Sequence, residues 1–192
     1  FYEYEEMGLV EALRHKIDQG SLQLYCVDSI DEESFYCCWN HPADRVHRHM
    51  QYESYLLHEV LPLMWAKNPH PCVISHGCSF GAFHALNLAF RHPQAFHKVA
   101  ALSGRYDLTL SVEHFRNLLD GHYDEYVYFN NPSHYVPNLS DPYVLDQLRR
   151  LDIVLAIGDQ DPFLDNNRQI SELLWCKEVW HALHVWQGRA HS

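Results

Sequence analysis

The 192-residue sequence has no C-x-x-C pair, no run of 18 apolar residues, and no internal repeat or low-complexity tract. A membrane-spanning helix needs about 18 or more apolar residues, so none is predicted. Without C-x-x-C spacing, the usual sign of a thiol redox site is missing. Three of the six cysteines (Cys26, Cys72 and Cys78) lie in or beside strand-like runs. This favours buried free thiols in a reducing compartment, the cytoplasm.

Basic residues are also scarce, since 14 lysines and arginines stand against 25 acidic residues, for a formal net charge of −11. That balance argues against nucleic acid or an anionic membrane as the main partner. Hydrophobic residues make up 47% of the chain, which indicates a globular protein. At this length we predict a single domain over residues 1–192 with a substantial core. The composition leaves a homo-oligomer open.

Metal-binding patterns are sparse among the 16 histidines. His41, His47 and His49 lie close to Asp44 in the sequence, but no HExxH motif or Cys/His finger spacing accompanies them. A loop that leads into a helix commonly carries such residues. We therefore expect neither a metal ion nor another cofactor.

The most informative feature that is present is the G-x-S-x-G motif Gly77-Cys78-Ser79-Phe80-Gly81. It lies between an apolar run and an alanine-rich helical stretch, and strand, tight turn and helix in this order form a nucleophile elbow. Glycine is favoured on both sides because neighbouring segments approach the backbone closely. The motif predicts Ser79 as a nucleophile and the amide of Phe80 as an oxyanion donor. An ordinary strand–helix turn is the alternative interpretation.

Apolar or β-branched runs alternate with helical patterns along the chain. The runs are Leu22–Val27, Cys72–Ser75, Val99–Leu102, Ile153–Ile157 and Leu183–Trp186. The helical patterns are Gly8–Gln19, Gln51–Lys67 (with a kink or break at Pro62), Gly81–Arg91, Pro142–Arg150 and Asn166–Lys177. This order predicts an α/β fold, with a mainly parallel sheet, right-handed crossovers and helices on both faces.

The segment 105–141 departs from this alternation and is rich in Tyr, Asn, His and Pro. A loop of this length is uncommon unless it serves a function. Because it begins where a strand should reach the active edge of the sheet, we predict a cap-like loop over the substrate. Its aromatic content argues against disorder.

A serine nucleophile needs a base and an acid that orients the base. Asp161 follows the run Ile153–Ile157, and His191 follows the run Leu183–Trp186. The carboxyl ends of parallel strands meet at one edge of a sheet, so both side chains can reach Ser79. We therefore predict Asp161 as the acid and His191 as the base.

Several neighbouring residues are rivals for these roles. Asp159 lies in the same turn as Asp161, and Asp107 follows the preceding strand, so both are alternative acids. Cys78 is an alternative nucleophile, although Ser79 and not Cys78 is at the centre of the motif. Of the histidines next to the motif, His76 is predicted to line the pocket, whereas His84 is predicted to pack on the inner face of its helix.

Three motifs together suggest a family: the G-x-S-x-G motif with Phe83-His84-Ala85 behind it, Leu102-Ser103-Gly104-x-Tyr106-Asp107, and Gly158-x-x-Asp161. Over nearly the whole chain, the sequence resembles a family of esterases in the α/β-hydrolase superfamily that is similar to esterase D, enterobactin esterases, feruloyl esterases and mycolyl transferases. The resemblance implies the α/β-hydrolase fold and a serine esterase that acts on a small-molecule ester. It also implies the roles of nucleophile, acid and base for Ser79, Asp161 and His191.

Members of this family usually begin with a β-hairpin and a third strand, and a helix follows the base. The resemblance therefore implies an N-terminally truncated domain that also lacks the last helix. Phe1 and Tyr2 would then follow the turn that supplies a second oxyanion amide, and they would line the substrate pocket with His76 and Tyr106. Without the third strand, Leu22–Val27 either pairs directly with Cys72–Ser75 or leaves an exposed edge.

Two other functions stay open. An acyltransferase of the same fold would form the same acyl-enzyme, but an alcohol instead of water would attack it. A catalytically silent hydrolase fold would act as a binding module.

Overall fold

Four apolar segments form parallel strands in the computed structural model, which describes residues 3–191 (for Glu3, the backbone only). Phe1 and Tyr2, both predicted to line the substrate pocket, lie outside the described residues. The strands are β1 (Ile74–Cys78), β2 (Lys98–Leu102), β3 (Asp152–Gly158) and β4 (Ala182–Trp186). They pair in the order β1-β2-β3-β4, with Gly77, Ala101, Leu155 and Leu183 in one register row.

Helices precede and connect these strands. Those before β1 are α1 (Glu3–Glu6), α2 (Leu9–Asp18), α3 (Pro42–Tyr55) and α4 (Leu61–Lys67). Those after β1 are α5 (Phe80–Arg91), α6 (Glu125–Phe129), α7 (Pro132–Tyr135), α8 (Pro142–Leu148) and α9 (Leu164–Cys176). Single 3₁₀ turns cover Pro93–Ala95 and Val136–Asn138. The predicted α/β class with a parallel sheet is confirmed.

The main core lies where α5 packs against β1 and β2. Among the strand side chains on this face, Val99, Ile153 and Leu155 are at most 1% exposed. Ile170 and Leu174 of α9 belong to the same buried cluster. Burial of each such side chain stabilises the fold by roughly 1.5–3 kcal/mol. Packing on this face therefore fixes the positions of the strands.

The opposite face of the sheet contacts the first helix. The hydroxyl of Tyr4 in α1 is hydrogen-bonded to Nδ1 of His76, at 2.7 Å. His76 lies in the middle of β1, and burial lowers its pKa. No helix of the described chain is both long and apolar enough to cross a membrane.

The predicted strand at Leu22–Val27 is wrong, because this run has no regular secondary structure. A strand exists only when a neighbouring strand supplies its hydrogen bonds. Within residues 3–191 no strand pairs with this run, and the described sheet ends at β1.

The helical pattern at Gln51–Lys67 belongs to a longer helix that begins at Pro42. The imidazole of His41 accepts a hydrogen bond from the Ala43 amide and caps that helix. A π-helical turn over Leu56–Val60 joins α3 to α4 just before Pro62. Proline lacks an N–H and crowds the preceding turn, so the helix widens there instead of ending.

Of the six cysteines, Cys37 is buried and the other five are exposed. The predicted burial of Cys26, Cys72 and Cys78 is therefore wrong. Cys26 lies in the irregular run, and Cys72 precedes β1 and stays outside the sheet.

The segment 105–141 leaves the sheet at the carboxyl end of β2 and contains α6 and α7. Leu108, Leu119 and Val127 from this segment are at most 1% exposed and pack with Phe80 and Phe83 in a second buried cluster. The segment is thus packed directly onto the residues that follow Ser79. Its role as a cap stays a prediction.

Candidate active site

Ser79 lies in the turn between β1 and α5, with φ 53° and ψ −117°. A non-glycine residue adopts a positive φ only where its surroundings impose it, and such strain is common at active sites. The Ser79 amide donates to the carbonyl oxygen of Leu102, at 2.8 Å. The turn is thereby tied to the end of β2, and the serine side chain stands at the carboxyl edge of the sheet.

The two glycines of the motif differ in how much space surrounds them. A Cβ added to Gly77 would lie 2.1 Å from the carbonyl oxygen of Gly81. A Cβ added to Gly81 would meet nothing within 4 Å. The expected close approach of backbone therefore applies at Gly77, where only glycine leaves room for the following helix.

Asp161 follows β3, and its side chain is fully buried. One carboxylate oxygen accepts the amide hydrogen of Phe163, at 2.9 Å, and the other is hydrogen-bonded to Nδ1 of His191, at 2.8 Å. Because both oxygens are engaged, the carboxylate has a fixed orientation. Among residues 3–191, the imidazole of His191 is its one side-chain hydrogen-bond partner.

His191 lies five residues beyond the end of β4. Its Nε2 atom is hydrogen-bonded to the hydroxyl of Ser79, at 2.8 Å. The ends of β1, β3 and β4 thus bring Ser79, Asp161 and His191 into one hydrogen-bonded chain, as expected for strand ends that share an edge. Sequence analysis predicted all three residues, and the structure places them together.

The rival acid Asp159 has a different position. Its carboxylate accepts the amide hydrogen of Gly188, at 2.8 Å, and the amide of Gln160 donates to the carbonyl of Arg189. These contacts hold the turn that leads to His191. Asp159 therefore supports the backbone near the site but does not contact the imidazole in this structure.

The other rival acid, Asp107, belongs to a separate hydrogen-bonded group. It accepts from the amide and the hydroxyl of Thr109 and is paired with Nε2 of His134, at 3.1 Å. Burial raises the pKa of Asp107, but the hydrogen bonds from His134 and Thr109 outweigh burial and leave the pKa lowered. This pair links the start of the segment 105–141 to α7.

Phe80, the predicted oxyanion donor, is the first residue of α5. The first N–H groups of a helix have no acceptor within the helix, and they point along its positive end. The Phe80 amide is therefore available to a negatively charged oxygen beside Ser79. Its ring packs against Phe35 and Tyr36, at centroid distances of 5.7 and 4.9 Å.

Two phenyl rings flank the imidazole of His191. The ring centroid of Phe115 lies 5.3 Å from that of His191, and the centroid of Phe163 lies 5.7 Å from it. Sequence analysis missed both residues. Phe163 could have been noticed because it follows Asp161 by two positions, but no pattern singles out Phe115 within its irregular segment.

A depression of about 670 Å³ opens beside Ser79. The residues that line it with Ser79 are Cys78, Leu102, Ser103, Gly158, Val185, Trp186, Gln187, Arg189 and Ala190. They combine polar groups with apolar surface from Trp186 and Val185, a mixture that is common in sites for small organic molecules.

His76 and Tyr106, two residues predicted to line the pocket, lie elsewhere in the structure. His76 contacts Tyr4 on a face of the sheet. Tyr106 is fully buried beneath Gly104, and burial raises its pKa far above the usual range. The structure therefore brings neither side chain to the depression beside Ser79, because strand position and core packing direct them away from it.

Across residues 3–191, no three His, Cys, Asp or Glu side chains are grouped so that they could hold a metal ion. Two of the histidines considered as metal ligands, His41 and His49, have other contacts. His41 caps α3. His49 is buried against Phe35 and stacks on His84, and burial lowers its pKa strongly.

Comparison with known proteins gives both a family and a fold. A family model described as "Putative esterase" matches residues 5–186. No curated protein matches the chain. Solved structures similar to the chain include a ferulic acid esterase, with 24% identity and a TM-score of 0.57 over 73% of this chain and 54% of that protein.

Two further similar structures are an S-formylglutathione hydrolase from Agrobacterium tumefaciens and FphF, a fluorophosphonate-binding serine hydrolase from Staphylococcus aureus. The former has 17% identity and a TM-score of 0.53, over 72% of this chain and 50% of that one. The latter has 14% identity and a TM-score of 0.53, over 83% of this chain and 62% of that one. The chain thus spans between half and two thirds of the length of these structures. The similarity confirms the predicted α/β-hydrolase fold.

Proposed function

The chain belongs to the family described as "Putative esterase", and from this membership and the geometry of the site we propose that it is a serine hydrolase of small-molecule carboxylic esters. One observation carries the proposal. Hydrogen bonds of 2.8 Å link Ser79 to His191 and His191 to Asp161. Nucleophile, base and orienting acid stand in this relation in serine hydrolases.

In the first half of the proposed reaction, Nε2 of His191 takes the hydroxyl proton of Ser79 as Oγ attacks the ester carbonyl carbon. The carbonyl oxygen becomes an oxyanion, which the amide of Phe80 stabilises by a hydrogen bond. The imidazolium then protonates the departing alcohol as the carbon–oxygen bond breaks. An acyl group remains on Ser79.

In the second half, water attacks the acyl carbon while His191 takes a proton from it. The tetrahedral intermediate collapses, the imidazolium returns a proton to Ser79, and the carboxylic acid leaves. Throughout both halves, Asp161 keeps Nδ1 protonated and stabilises the positive imidazolium. Its full burial supports this role, because water does not compete for the carboxylate.

We also propose that the segment 105–141 acts as a cap on this site. Its residue Phe115 touches the imidazole of His191. Other residues of the segment pack against Phe80 and Phe83 in the second buried cluster. The segment therefore adjoins both the proposed base and the helix that carries the oxyanion donor.

The test combines hydrolysis of p-nitrophenyl esters with labelling by a fluorophosphonate probe. We expect Ser79→Ala to abolish both activity and labelling. Asp161→Asn is expected to lower kcat roughly 10⁴-fold, because the imidazole loses the partner that sets its tautomer.

Asp159→Asn is the matched control, since it changes a carboxylate two residues away that accepts the amide hydrogen of Gly188 and does not contact His191. We expect it to lower kcat less than about 10-fold. Equal losses in the two variants would contradict the assigned roles. Folded protein that neither labels nor hydrolyses esters would favour a binding module, and product transfer to an added alcohol in preference to water would favour an acyltransferase.

A further inference from the structure

Arg105, just beyond the end of β2, has a buried guanidinium without a carboxylate partner. Arg105 is 5% exposed, and among residues 3–191 no carboxylate forms an ion pair with it. Instead, Nε donates to the carbonyl oxygen of Asp107, and Nη2 donates to those of Leu108, Leu110 and Arg116, at 3.2, 3.2, 2.5 and 2.7 Å. Four backbone acceptors replace the water that this cation loses on burial.

These acceptors lie on both sides of a narrow turn. Leu110 and Arg116 enclose residues 111–115, and the backbones of Val112 and Phe115 exchange two hydrogen bonds of 2.9 Å within that turn. The guanidinium therefore closes the loop 105–116 at its base. Phe115 directly precedes Arg116 in this loop, and its ring meets the imidazole of His191 in a T-shaped contact.

Arg105 also contacts the second ring that flanks His191. Its guanidinium carbon lies over the ring of Phe163, 5.5 Å from the centroid. Phe163 and Phe115 are themselves in contact, with centroids 4.8 Å apart. One side chain thus supports both phenyl rings, through a cation–π contact with Phe163 and through hydrogen bonds to Leu110 and Arg116, which enclose the turn that carries Phe115.

We propose that Arg105 is a positioning residue for His191, acting through Phe115 and Phe163. The proposal rests on the proposed function, in which the imidazole must keep Nε2 aligned with the hydroxyl of Ser79. Two rings packed against the imidazole limit its rotation. A shift of about 1 Å in a reacting group can cost about 100-fold in rate, so loss of this support lowers kcat.

Three variants test the proposal through kinetics. Arg105→Lys keeps the charge but cannot reach four carbonyl groups, and Phe115→Ala removes one ring without altering the guanidinium. We expect each to lower kcat by about 10- to 100-fold with KM changed less than about twofold. Phe115→Tyr keeps a ring at this position and is expected to retain most of the activity.

Arg116→Lys is the matched control, because its side chain is on the same loop but 56% exposed, and only its carbonyl group meets Arg105. It should leave kcat unchanged. The double variant Arg105→Lys with Phe115→Ala should lose less than the product of the two single losses, because both remove the same support. A multiplicative loss, a rise in KM alone, or near-normal kcat in both single variants would overturn the proposal.

A second readout does not depend on turnover. In ¹⁵N-histidine-labelled protein, we expect the imidazole signals of His191 to shift or broaden in Arg105→Lys and Phe115→Ala, but not in Arg116→Lys. If the wild type hydrolyses no ester, this comparison still tests the positioning role. Unchanged His191 signals in folded Phe115→Ala would overturn it, and that variant decides the matter if Arg105→Lys does not fold.

Discussion

Two apolar runs with similar residue types have different structures. Ile153–Ile157 lies within β3, between two parallel strands, and Ile153, Leu155 and Ile157 are fully buried. Leu22–Val27 has no regular structure, and Val27 is 37% exposed. An apolar run by itself therefore predicts only the capacity to form a strand. The strand itself depends on neighbours that supply hydrogen bonds and a covered face.

The sheet and the amino-terminal part of the chain also differ in how closely their glycines are packed. At the carboxyl edge of the sheet, a Cβ on Gly77 or Gly158 would lie 2.1 or 2.0 Å from backbone oxygen. In the amino-terminal part, Gly8 and Gly20 have positive φ angles and nothing within 4 Å of an added Cβ. Close packing determines the first region, whereas local backbone preference determines the second.

We expect the largest difference in stability when a leucine in each of the two apolar runs is replaced by alanine. Leu155→Ala should lower the free energy of unfolding by about 2–5 kcal/mol, because it leaves a cavity in the core. Leu24→Ala, in the half-buried irregular run, should cost less than about 1 kcal/mol. Urea denaturation measures both, and equal costs would show that the run at residue 24 is packed as tightly as the sheet.

A second effect, at the elbow, is expected from Gly77→Ala. The added methyl group meets backbone atoms that cannot rotate away, so we expect a loss of about 3 kcal/mol in stability. Ester hydrolysis should fall with it, since α5 and Ser79 must shift.

Gly81→Ala is the control within the same motif, because the space around that position is open. It should change stability by less than about 1 kcal/mol. Gly20→Ala should cost about 1–2 kcal/mol through its positive φ alone, and without a change in activity. If Gly81→Ala were as damaging as Gly77→Ala, steric contact would not be the reason for glycine in this turn.

The smallest expected effect on stability concerns Glu53, which joins the amino-terminal part of the chain to the helix that follows β1. This glutamate of α3 is hydrogen-bonded to Arg91 and His92 at the end of α5. Burial raises the pKa of Glu53, but the hydrogen bonds from His92 and Arg91 outweigh it and leave the pKa below its ordinary value of 4.5. The ionised carboxylate therefore stabilises the fold above pH 4.5, and this contribution is lost as the pH falls through the lowered pKa.

Glu53→Gln should cost about 1–3 kcal/mol at pH 7. The difference in unfolding free energy between wild type and variant should shrink as the pH falls below 4.5, which chemical denaturation at a series of pH values would measure. A difference that stays constant or grows on acidification would contradict this assignment.

The successes of sequence analysis share a physical basis. The helical patterns at Gly8–Gln19, Gly81–Arg91 and Asn166–Lys177 match observed helices within about two residues, because their spacing alone favours a helix. The convergence of Ser79 and His191 could likewise be predicted, because parallel strands carry their carboxyl ends to the same edge.

The remaining features depend on contacts between distant parts of the chain. The rings around His191 come from residues 76 and 28 positions away in sequence, and the guanidinium that supports them follows a different strand. Tyr106 was predicted to line the pocket, but the core encloses it. No local pattern in the sequence records such packing.

The α/β class, the elbow at Ser79 and the positions of Asp161 and His191 after successive strands could be predicted from the sequence, because alternation and turn chemistry act over a few neighbouring residues. Which apolar runs become strands, and which side chains surround the imidazole of His191, could not be predicted in this way. These depend on distances between segments far apart in the chain, and such distances are set when the core packs as a whole.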